Sequence, residues 1–520
     1  MQPGFKIKIS CWWWVIAAAA LAVGTPHTAS ADSPPRVRIA QGLLRGTIDR
    51  GIQSFRNIPY VAAPVGELRW RAPVAGPAWA GERDASRFGA ICPQTRRIEG
   101  VTPDRAMSED CLQLNVWTRD PAARQRMPVM VWLLPGGFTS GDAGMARYDG
   151  TILAQQGVVV VSFNYRLGLF GEFAHPALRT TSGDEPRGNF GLMDQIAALE
   201  WVRANIAAFG GDPGNVTLFG MSAGGMSVNY LMASPRATGL FHKAISESSA
   251  LRLMRERHID QDQPNLPSLE TEGRSIAQKL GVDGVDAAAA DALRAISMKA
   301  LLDFQRKNRI GTSSGLTPVI DGKILARSVG EVFRDGAQHP VPYLAGATTW
   351  EASLARSLAV AEPIFGAMNV TRNDAVRLYP GADDRRIIDA MYSEFFLSTQ
   401  RYLAREHAKH GHVSYAYVFR RVDAQSFGKV FGAEHGASTD YVFGTHDDPA
   451  EASYAAMVRG YWVRFARTGN PNSPGAAPWP RITRGNDAVL EFSQAGAVPH
   501  RVWQADVWKF FLTHFEAGKI

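Results

Sequence analysis

The stretch NVTLFGMSAGGMSVNYLMA, residues 215–233, changes its pattern at Ser222. Residues 215–221 are apolar and β-branched, which predicts a buried strand, whereas residues 223–233 are typical of a helix. Ser222 would then lie at a sharp strand-to-helix turn, where Gly220 and Gly224 permit strained backbone and close packing. A turn of this kind presents the serine hydroxyl as a nucleophile, and an ordinary turn serine would not need the flanking strand and helix.

Similar apolar runs recur along the chain and predict further buried strands. They occupy residues 128–134, 157–165, 341–347 and 413–419. The helical pattern at 192–209 lies between two of the runs, and strands that alternate with helices form mostly parallel sheets covered by helices. We therefore expect an α/β fold with a large, mostly parallel central sheet.

No linker rich in Pro, Gly or Ser divides the chain. Its length allows about three domains, but residues 32–520 are better interpreted as a single domain. Residues 266–310, which include an Ala-rich stretch, predict helices inserted as a cap beside the site.

The composition is that of a globular protein, with 45% apolar and 20% charged residues and a formal net charge of +7. The basic residues are scattered, and no stripe of interleaved basic and aromatic residues occurs. The composition therefore argues against a nucleic-acid partner.

The N-terminus resembles a secretion signal, with Lys6 and Lys8, an apolar stretch at 12–23 and Ala29-Ser30-Ala31 as a cleavage site. We expect residues 1–31 to be a signal peptide and the mature protein to be secreted or periplasmic. Removal of two lysines leaves 54 basic against 49 acidic residues, a net charge of +5. The apolar stretch is too short to span a bilayer, so no stable membrane anchor is expected after cleavage. An uncleaved anchor is the alternative.

Cleavage of the signal would remove Cys11 and leave Cys92 and Cys111. Disulfides persist in oxidising compartments, so this pair is expected to form a bridge. Two separate buried thiols are the alternative.

A serine nucleophile needs a base and a group that orients the base. Glu351 follows the predicted strand 341–347, and His435 lies in the loop 431–438 between Gly432 and Gly436. Each is placed where the C-terminal loop of a strand could supply a catalytic group. The alternatives are a solvated helix-start glutamate and an ordinary histidine.

The histidines of HAKHGH, residues 407–412, suggest a metal site, but they follow a helical pattern and no carboxylate motif completes the set. Surface histidines are the favoured interpretation, and no metal is expected.

Longer motifs, in this order along the chain, resemble the type-B carboxylesterase family, which includes the cholinesterases. The similarity runs from Val37 to Trp508. It is carried by FRNIPYVAAPVGELRWRAP (55–73), SEDCLQLNVW (108–117), FNYRLGLFGEF (163–173), GNFGLMDQIAALEWVRANIAAFGGDPGNVTLFGMSAGG (188–225), PVIDGKIL (318–325) and YWVRFARTGNPN (461–472).

The resemblance implies an α/β-hydrolase fold and a role for each matching residue. Ser222 matches the family's nucleophile, Glu351 its triad acid and His435 its base. The matches outside the triad are Gly136, Gly137 and Ala223 for the oxyanion hole, Cys92 and Cys111 for the first disulfide, and Ser248 for a second serine near the triad.

This sequence departs from the family pattern at three places. Leu134-Pro135-Gly136-Gly137 replaces His-Gly-Gly-Gly, Met221 replaces a common Glu before the nucleophile, and Trp350 replaces an Asp before the acid. Without a carboxylate at Met221, we expect neutral or anionic esters to be preferred over cationic ones, with esters of polycarboxylic acids as a further candidate.

The resemblance implies a serine carboxylesterase that hydrolyses small-molecule esters through an acyl-enzyme, without a metal or cofactor. Two other functions stay open. Some relatives keep the fold as adhesion or binding proteins, and the same site is also suited to amides or thioesters.

Overall fold

The computed structural model describes most of the chain beyond the N-terminal segment. The described residues are 1, 4, 33–95, 105–251, 256–310, 316–355, 364–423, 426–446 and 448–518. Apart from residues 1 and 4, the predicted signal peptide lies outside them. Pro35–Ile520 form one compact unit.

The apolar runs of the sequence form the strands. In chain order these are β1 (Arg36–Ile39), β2 (Gly42–Arg45), β3 (Thr47–Asp49), β4 (Ile52–Pro59), β5 (Glu82–Asp84), β6 (Gln113–Thr118), β7 (Met127–Leu133), β8 (Val159–Phe163), β9 (Glu172–Phe173), β10 (Gly188–Asn189), β11 (Gly211–Met221), β12 (Lys243–Glu247), β13 (Tyr343–Thr348), β14 (Ser414–Phe419), β15 (Val489–Ser493) and β16 (Gly496–His500).

The central sheet has 11 strands in the order β16-β15-β14-β13-β12-β11-β7-β8-β6-β4-β3. Its middle, from β15 to β8, is parallel, and antiparallel strands extend it on both sides. Every residue of β8, β12, β13 and β14 is buried, because a parallel strand covered on both faces has no solvated side. The predicted mostly parallel sheet is confirmed.

The helices flank this sheet and cap it. They are α1 (Thr151–Gln155), α2 (Pro176–Ser182), α3 (Phe190–Asn205), α4 (Ala223–Ala233), α5 (Leu269–Lys279), α6 (Ala287–Ala295), α7 (Met298–Lys307), α8 (Val329–Arg334), α9 (Ile364–Ala367), α10 (Arg372–Leu378), α11 (Asp384–Lys409), α12 (Ala437–Phe443), α13 (Ala452–Thr468) and α14 (Ala505–Glu516). In the described residues, no helix is both long enough and apolar enough to cross a bilayer.

The segment 266–310 is helical, as predicted, and its helices begin at side-chain caps. Ser268, Asp286 and Ser297 each accept a hydrogen bond from the amide three residues later, at 3.0–3.1 Å. These caps satisfy amides that have no partner within a helix. The local sequence therefore defines where α5, α6 and α7 begin.

Cys92 and Cys111 form the expected disulfide, with Cα atoms 5.1 Å apart. The bridge joins Cys92 to the residues just before β6. This disulfide excludes the alternative in which Cys92 and Cys111 are two separate thiols.

The interpretation of residues 407–412 as surface histidines is wrong for His407, which is fully buried on α11. Its ring nitrogens contact Gln338 Nε2 at 2.9 Å and the Val341 carbonyl at 2.8 Å. Burial lowers the pKa of this imidazole to about 3. His407 is therefore a neutral core residue, and across the described ranges no three His, Cys, Asp or Glu side chains come together as a metal site.

Candidate active site

Ser222 occupies the turn between β11 and α4 with φ 58° and ψ −124°. This is strained backbone for a residue with a Cβ. Both flanking positions require glycine, because the backbone packs too closely there for a side chain. A Cβ on Gly220 would lie 2.6 Å from the Gly224 carbonyl carbon, and a Cβ on Gly224 would lie 2.0 Å from the Leu133 carbonyl oxygen. The predicted strand-turn-helix is present, and it packs directly on the end of β7.

Glu351 and His435 are in direct contact. Glu351 begins a short 3₁₀ helix (Glu351–Leu354) just after β13, and its side chain is fully buried. Its Oε1 accepts the Thr348 amide at 2.7 Å, while Oε2 accepts the hydrogen bond of His435 Nδ1. The carboxylate is held at both oxygens and fixes the orientation of the imidazole ring.

The loop that carries His435 is attached to the loop that carries Glu351. The Trp350 amide donates to the Ala433 carbonyl at 2.9 Å, and the His435 amide donates to Ser353 Oγ at 2.9 Å. The Phe396 ring packs edge-on against the imidazole at 5.5 Å. His435 Nε2 is buried without a hydrogen-bond partner in the described part of the chain, which leaves this nitrogen available to a reacting group.

The turn of Ser222 lies against the loop of His435. A Cβ on Gly436 would lie 2.5 Å from Met221 Cε, so the residues next to the serine and the histidine pack against each other. In apo structures a serine–histidine hydrogen bond is often long and tightens only with substrate. Residues separated by more than 200 positions in the sequence are thus brought together at the carboxyl ends of the parallel strands.

The three amides expected at an oxyanion hole have no hydrogen-bond acceptor among the described residues. Gly136 and Gly137 follow β7 with φ 117° and 61°, and Ala223 opens α4 directly after the serine. None of the hydrogen bonds among the described residues uses these three N–H groups. Free backbone N–H groups are the donors from which an oxyanion hole is built.

The remaining predicted positions are near the site but outside the Glu–His pair. Met221 is 4% exposed and packs on Gly436. Ser248 follows β12 with φ 48°, and its buried hydroxyl has no hydrogen-bond partner in the described residues. No contact observed there joins the Ser248 side chain to Glu351 or His435.

Sequence reasoning missed Glu247, which connects the serine turn to the histidine loop. Its carbonyl accepts the Ser222 amide at 2.9 Å, and its side chain accepts Ser438 Oγ at 3.0 Å and Trp462 Nε1 at 3.2 Å. Ser438 lies three residues after His435. The sequence feature that could have identified Glu247 is its position at the end of the strand sequence KAISE. A carboxyl in a buried strand needs hydrogen-bond partners.

Glu247→Gln should change how stability depends on pH. Burial raises the pKa of the Glu247 carboxyl from 4.5 to about 7, so the folded protein holds a proton that the unfolded chain releases. This contribution to the free energy of unfolding is present below about pH 4.5 and is lost as the pH rises through about 7. The glutamine variant should lack this decrease, which is on the order of 3 kcal/mol. Urea unfolding of both proteins between about pH 5 and pH 8 measures it, and parallel curves would contradict the assignment.

The fold and these strand-end loops define an enzyme of the α/β-hydrolase class. A family model described as "Carboxylesterase family" matches residues 33–378 and 374–507. The chain is 32% identical over 515 residues to a fumonisin B1 esterase of Sphingopyxis macrogoltabida, covering 94% of this chain and 91% of that protein. It is 33% identical over 469 residues to a para-nitrobenzyl esterase of Bacillus subtilis, covering 84% and 91%. A solved PNB esterase structure superposes with a TM-score of 0.80 at 30% identity, covering 92% of this chain and 99% of that one.

The chain belongs to the carboxylesterase family. It is a carboxylic ester hydrolase, and its substrates are small-molecule esters.

Proposed function

We propose that the protein is a serine carboxylesterase that works by two-step acyl transfer through Ser222, His435 and Glu351. The observation that carries this proposal is the contact of His435 Nδ1 with the buried Glu351 carboxylate, while Nε2 has no partner among the described residues. The histidine loop packs on the Ser222 turn through Gly436 and Met221. A carboxylate bound at Nδ1 favours the tautomer with a basic Nε2. That nitrogen then takes the serine proton as the hydroxyl attacks the ester carbonyl.

The N–H groups of Gly136, Gly137 and Ala223 receive the oxyanion of the tetrahedral intermediate. His435 returns the proton to the leaving alcohol, and the acyl group stays on Ser222. Water then attacks the acyl-enzyme with His435 as the base, and the acid is released. Every proton transfer uses His435 Nε2, so no further group is needed.

We infer a preference for neutral or anionic esters over choline esters. The residue before the nucleophile is Met221, which lies buried against Gly436, so that position offers no carboxylate to a cationic substrate. The mature net charge of +5 acts in the same direction at long range. Esters of polycarboxylic acids fit this preference.

We also propose that the mature protein is secreted or periplasmic. This rests on the N-terminal segment, with its two lysines, apolar stretch and Ala-Ser-Ala site. Intact mass of the exported protein would test it, and a mature chain that keeps residues 1–31 would refute cleavage.

The function is tested with matched 4-nitrophenyl esters, anilides and thioesters of the same acyl chains. We expect ester turnover with an initial burst, weaker cleavage of anilides, and faster hydrolysis of neutral and anionic esters than of choline esters of similar size. Since a relative is named para-nitrobenzyl esterase, 4-nitrobenzyl esters belong in the panel. Turnover of anilides or thioesters above that of esters would replace the proposal with an amidase or thioesterase. Absence of both a burst and turnover with every substrate would favour a binding protein.

A further inference from the structure

The loop of His435 contacts the sheet at two neighbouring strand ends. Met221 ends β11 and Glu247 ends β12, and the two residues are partners in the parallel pairing of these strands. Met221 packs on Gly436, the residue directly after the histidine. Glu247 Oε2 accepts a hydrogen bond from Ser438 Oγ at 3.0 Å, two residues further along the loop.

These two contacts constrain the loop differently. The Met221 contact is a dispersion contact, which depends on distance but hardly on direction. The hydrogen bond to Glu247 requires both a short distance and a favourable angle. Glu247 and Ser438 are fully buried, and a hydrogen bond is electrostatically stronger in such surroundings than in water. The Glu247 contact therefore fixes the start of α12, and with it the histidine that precedes this helix.

The backbone of Glu247 supports the serine side of the site. Its carbonyl oxygen accepts the Ser222 amide at 2.9 Å, and a Cβ on Gly225 would lie 2.5 Å from the same oxygen. The first turn of α4 thus packs directly on this residue. Trp462 Nε1, on α13, donates to Glu247 Oε1 at 3.2 Å and so restricts rotation of the carboxyl group. One residue holds the serine turn through its main chain and the histidine loop through its side chain.

The other hydrogen bonds of His435 come from a different strand end. Glu351 accepts from its Nδ1 and Ser353 accepts from its amide, and both residues follow β13. These bonds orient the imidazole relative to Glu351, but they do not set its separation from the serine turn. A displacement of about 1 Å between reacting groups can lower a rate by about a hundredfold. A contact that joins the two loops directly is therefore important for the rate.

We propose that Glu247 is a positioning residue, which sets the separation of Ser222 and His435 through its hydrogen bond to Ser438. The inference rests on the proposed mechanism through Ser222, His435 and Glu351, and it adds a residue that does not touch the substrate. Because Glu247 acts on the geometry of proton transfer, its loss should lower kcat and leave KM unchanged.

Ser438→Ala tests the hydrogen bond with the smallest change, because it removes the donor and leaves Glu247 in place. We expect kcat for 4-nitrophenyl butyrate to fall by about tenfold and KM to stay within about twofold. The second-order rate of phosphonylation should fall by the same factor as kcat, since both reactions need the serine proton to pass to His435.

Ser162→Ala is the matched control for Ser438→Ala. The Ser162 hydroxyl is also fully buried, and it donates to the Ala143 carbonyl at 3.0 Å. Ser162 lies on β8, outside the serine turn and the histidine loop. The control loses a buried hydrogen bond of the same length, but its kcat should stay within about twofold of the wild-type value.

Two substitutions of Glu247 test the carboxyl group itself. Glu247→Met keeps an unbranched side chain but removes both acceptor oxygens, so kcat should fall at least as far as in Ser438→Ala. In Glu247→Gln, the amide oxygen can accept from Trp462 and the amide N–H can donate to Ser438 Oγ. This variant should recover most of the kcat that Glu247→Met loses. Ser438→Ala added to Glu247→Met should lower kcat no further, because the two changes remove one interaction.

The outcomes separate this inference from the mechanism on which it rests. The positioning role is overturned if Ser438→Ala keeps the wild-type kcat, if Ser162→Ala loses as much, or if Glu247→Gln is as slow as Glu247→Met. If the folded wild-type protein hydrolyses none of the esters, the esterase proposal itself fails. Should Glu247→Met not fold, the pair Ser438→Ala and Ser162→Ala still decides the question.

Discussion

Ser222→Ala is expected to lower kcat for ester hydrolysis by about a million-fold while the protein stays folded, the scale observed when a triad serine is removed. The variant loses the oxygen that attacks the substrate carbonyl in the proposed mechanism. Alanine has no hydroxyl that could replace it, and the contacts of Gly220 and Gly224 that shape the turn are unchanged. The activity that remains would come from the oxyanion hole and substrate binding alone.

The measurement is kcat and the burst amplitude with a 4-nitrophenyl ester, together with intact mass after treatment with a phosphonate. Wild-type protein should gain one phosphonyl group, and Ser222→Ala should gain none. Ser234→Ala is the matched control, because Ser234 follows the opposite end of α4 and its buried hydroxyl has no hydrogen-bond partner in the described residues. The control should keep activity within about twofold. Substantial turnover or phosphonylation of purified Ser222→Ala would end the serine-esterase assignment.

Glu351→Gln is expected to lower kcat by about ten-thousand-fold, the scale reported when a triad acid becomes an amide. The amide oxygen can keep the Thr348 hydrogen bond that Oε1 accepts at 2.7 Å. The amide nitrogen would then face His435 Nδ1 and favour the tautomer with the proton on Nε2, which cannot accept the serine proton. Loss of the negative charge also removes the stabilisation of the imidazolium.

This variant should retain phosphonate labelling at a much lower rate and a melting temperature close to that of the wild-type protein. Glu434→Gln serves as the control, since Glu434 precedes His435 in the same loop and is exposed. It should change kcat by less than about twofold. A loss below tenfold in Glu351→Gln would assign the orienting acid to another residue.

The sequence predicted the parts of the fold whose cause is local. Runs such as 157–165 and 413–419 contain β8 and β14, because strands buried on both faces need continuous apolar residues. The cap helices follow from side-chain caps such as Ser268 and Asp286. The edges of the sheet were not predicted, because no residue of β3 or β16 is fully buried, so neither strand carries a continuous apolar run.

The sequence predicted which residues are candidates for the site but not the contacts between them. Ser222, Glu351 and His435 were selected by their position after predicted strands and by family motifs. Glu247 was not selected, because its function as a link depends on Ser438 and Trp462, which lie about two hundred residues later in the sequence. For the histidines at 407–412, the prediction from sequence was wrong at one position. A polar residue on a long helix was expected to lie on the surface, whereas tertiary packing buries His407.

By itself the sequence determined that strands and helices alternate, where the strand-to-helix turn with Ser222 lies, and which acid and base are proposed to act with that serine. These properties depend on residues close together in the chain, through backbone conformation and the spacing of apolar side chains. Only the tertiary structure decided that His435 Nδ1 meets Glu351 and that the buried Glu247 accepts the Ser222 amide. These depend on the parallel order of β7, β11, β12 and β13, which brings the carboxyl ends of distant strands to one edge, and on burial, which sets the protonation of the carboxyl groups there.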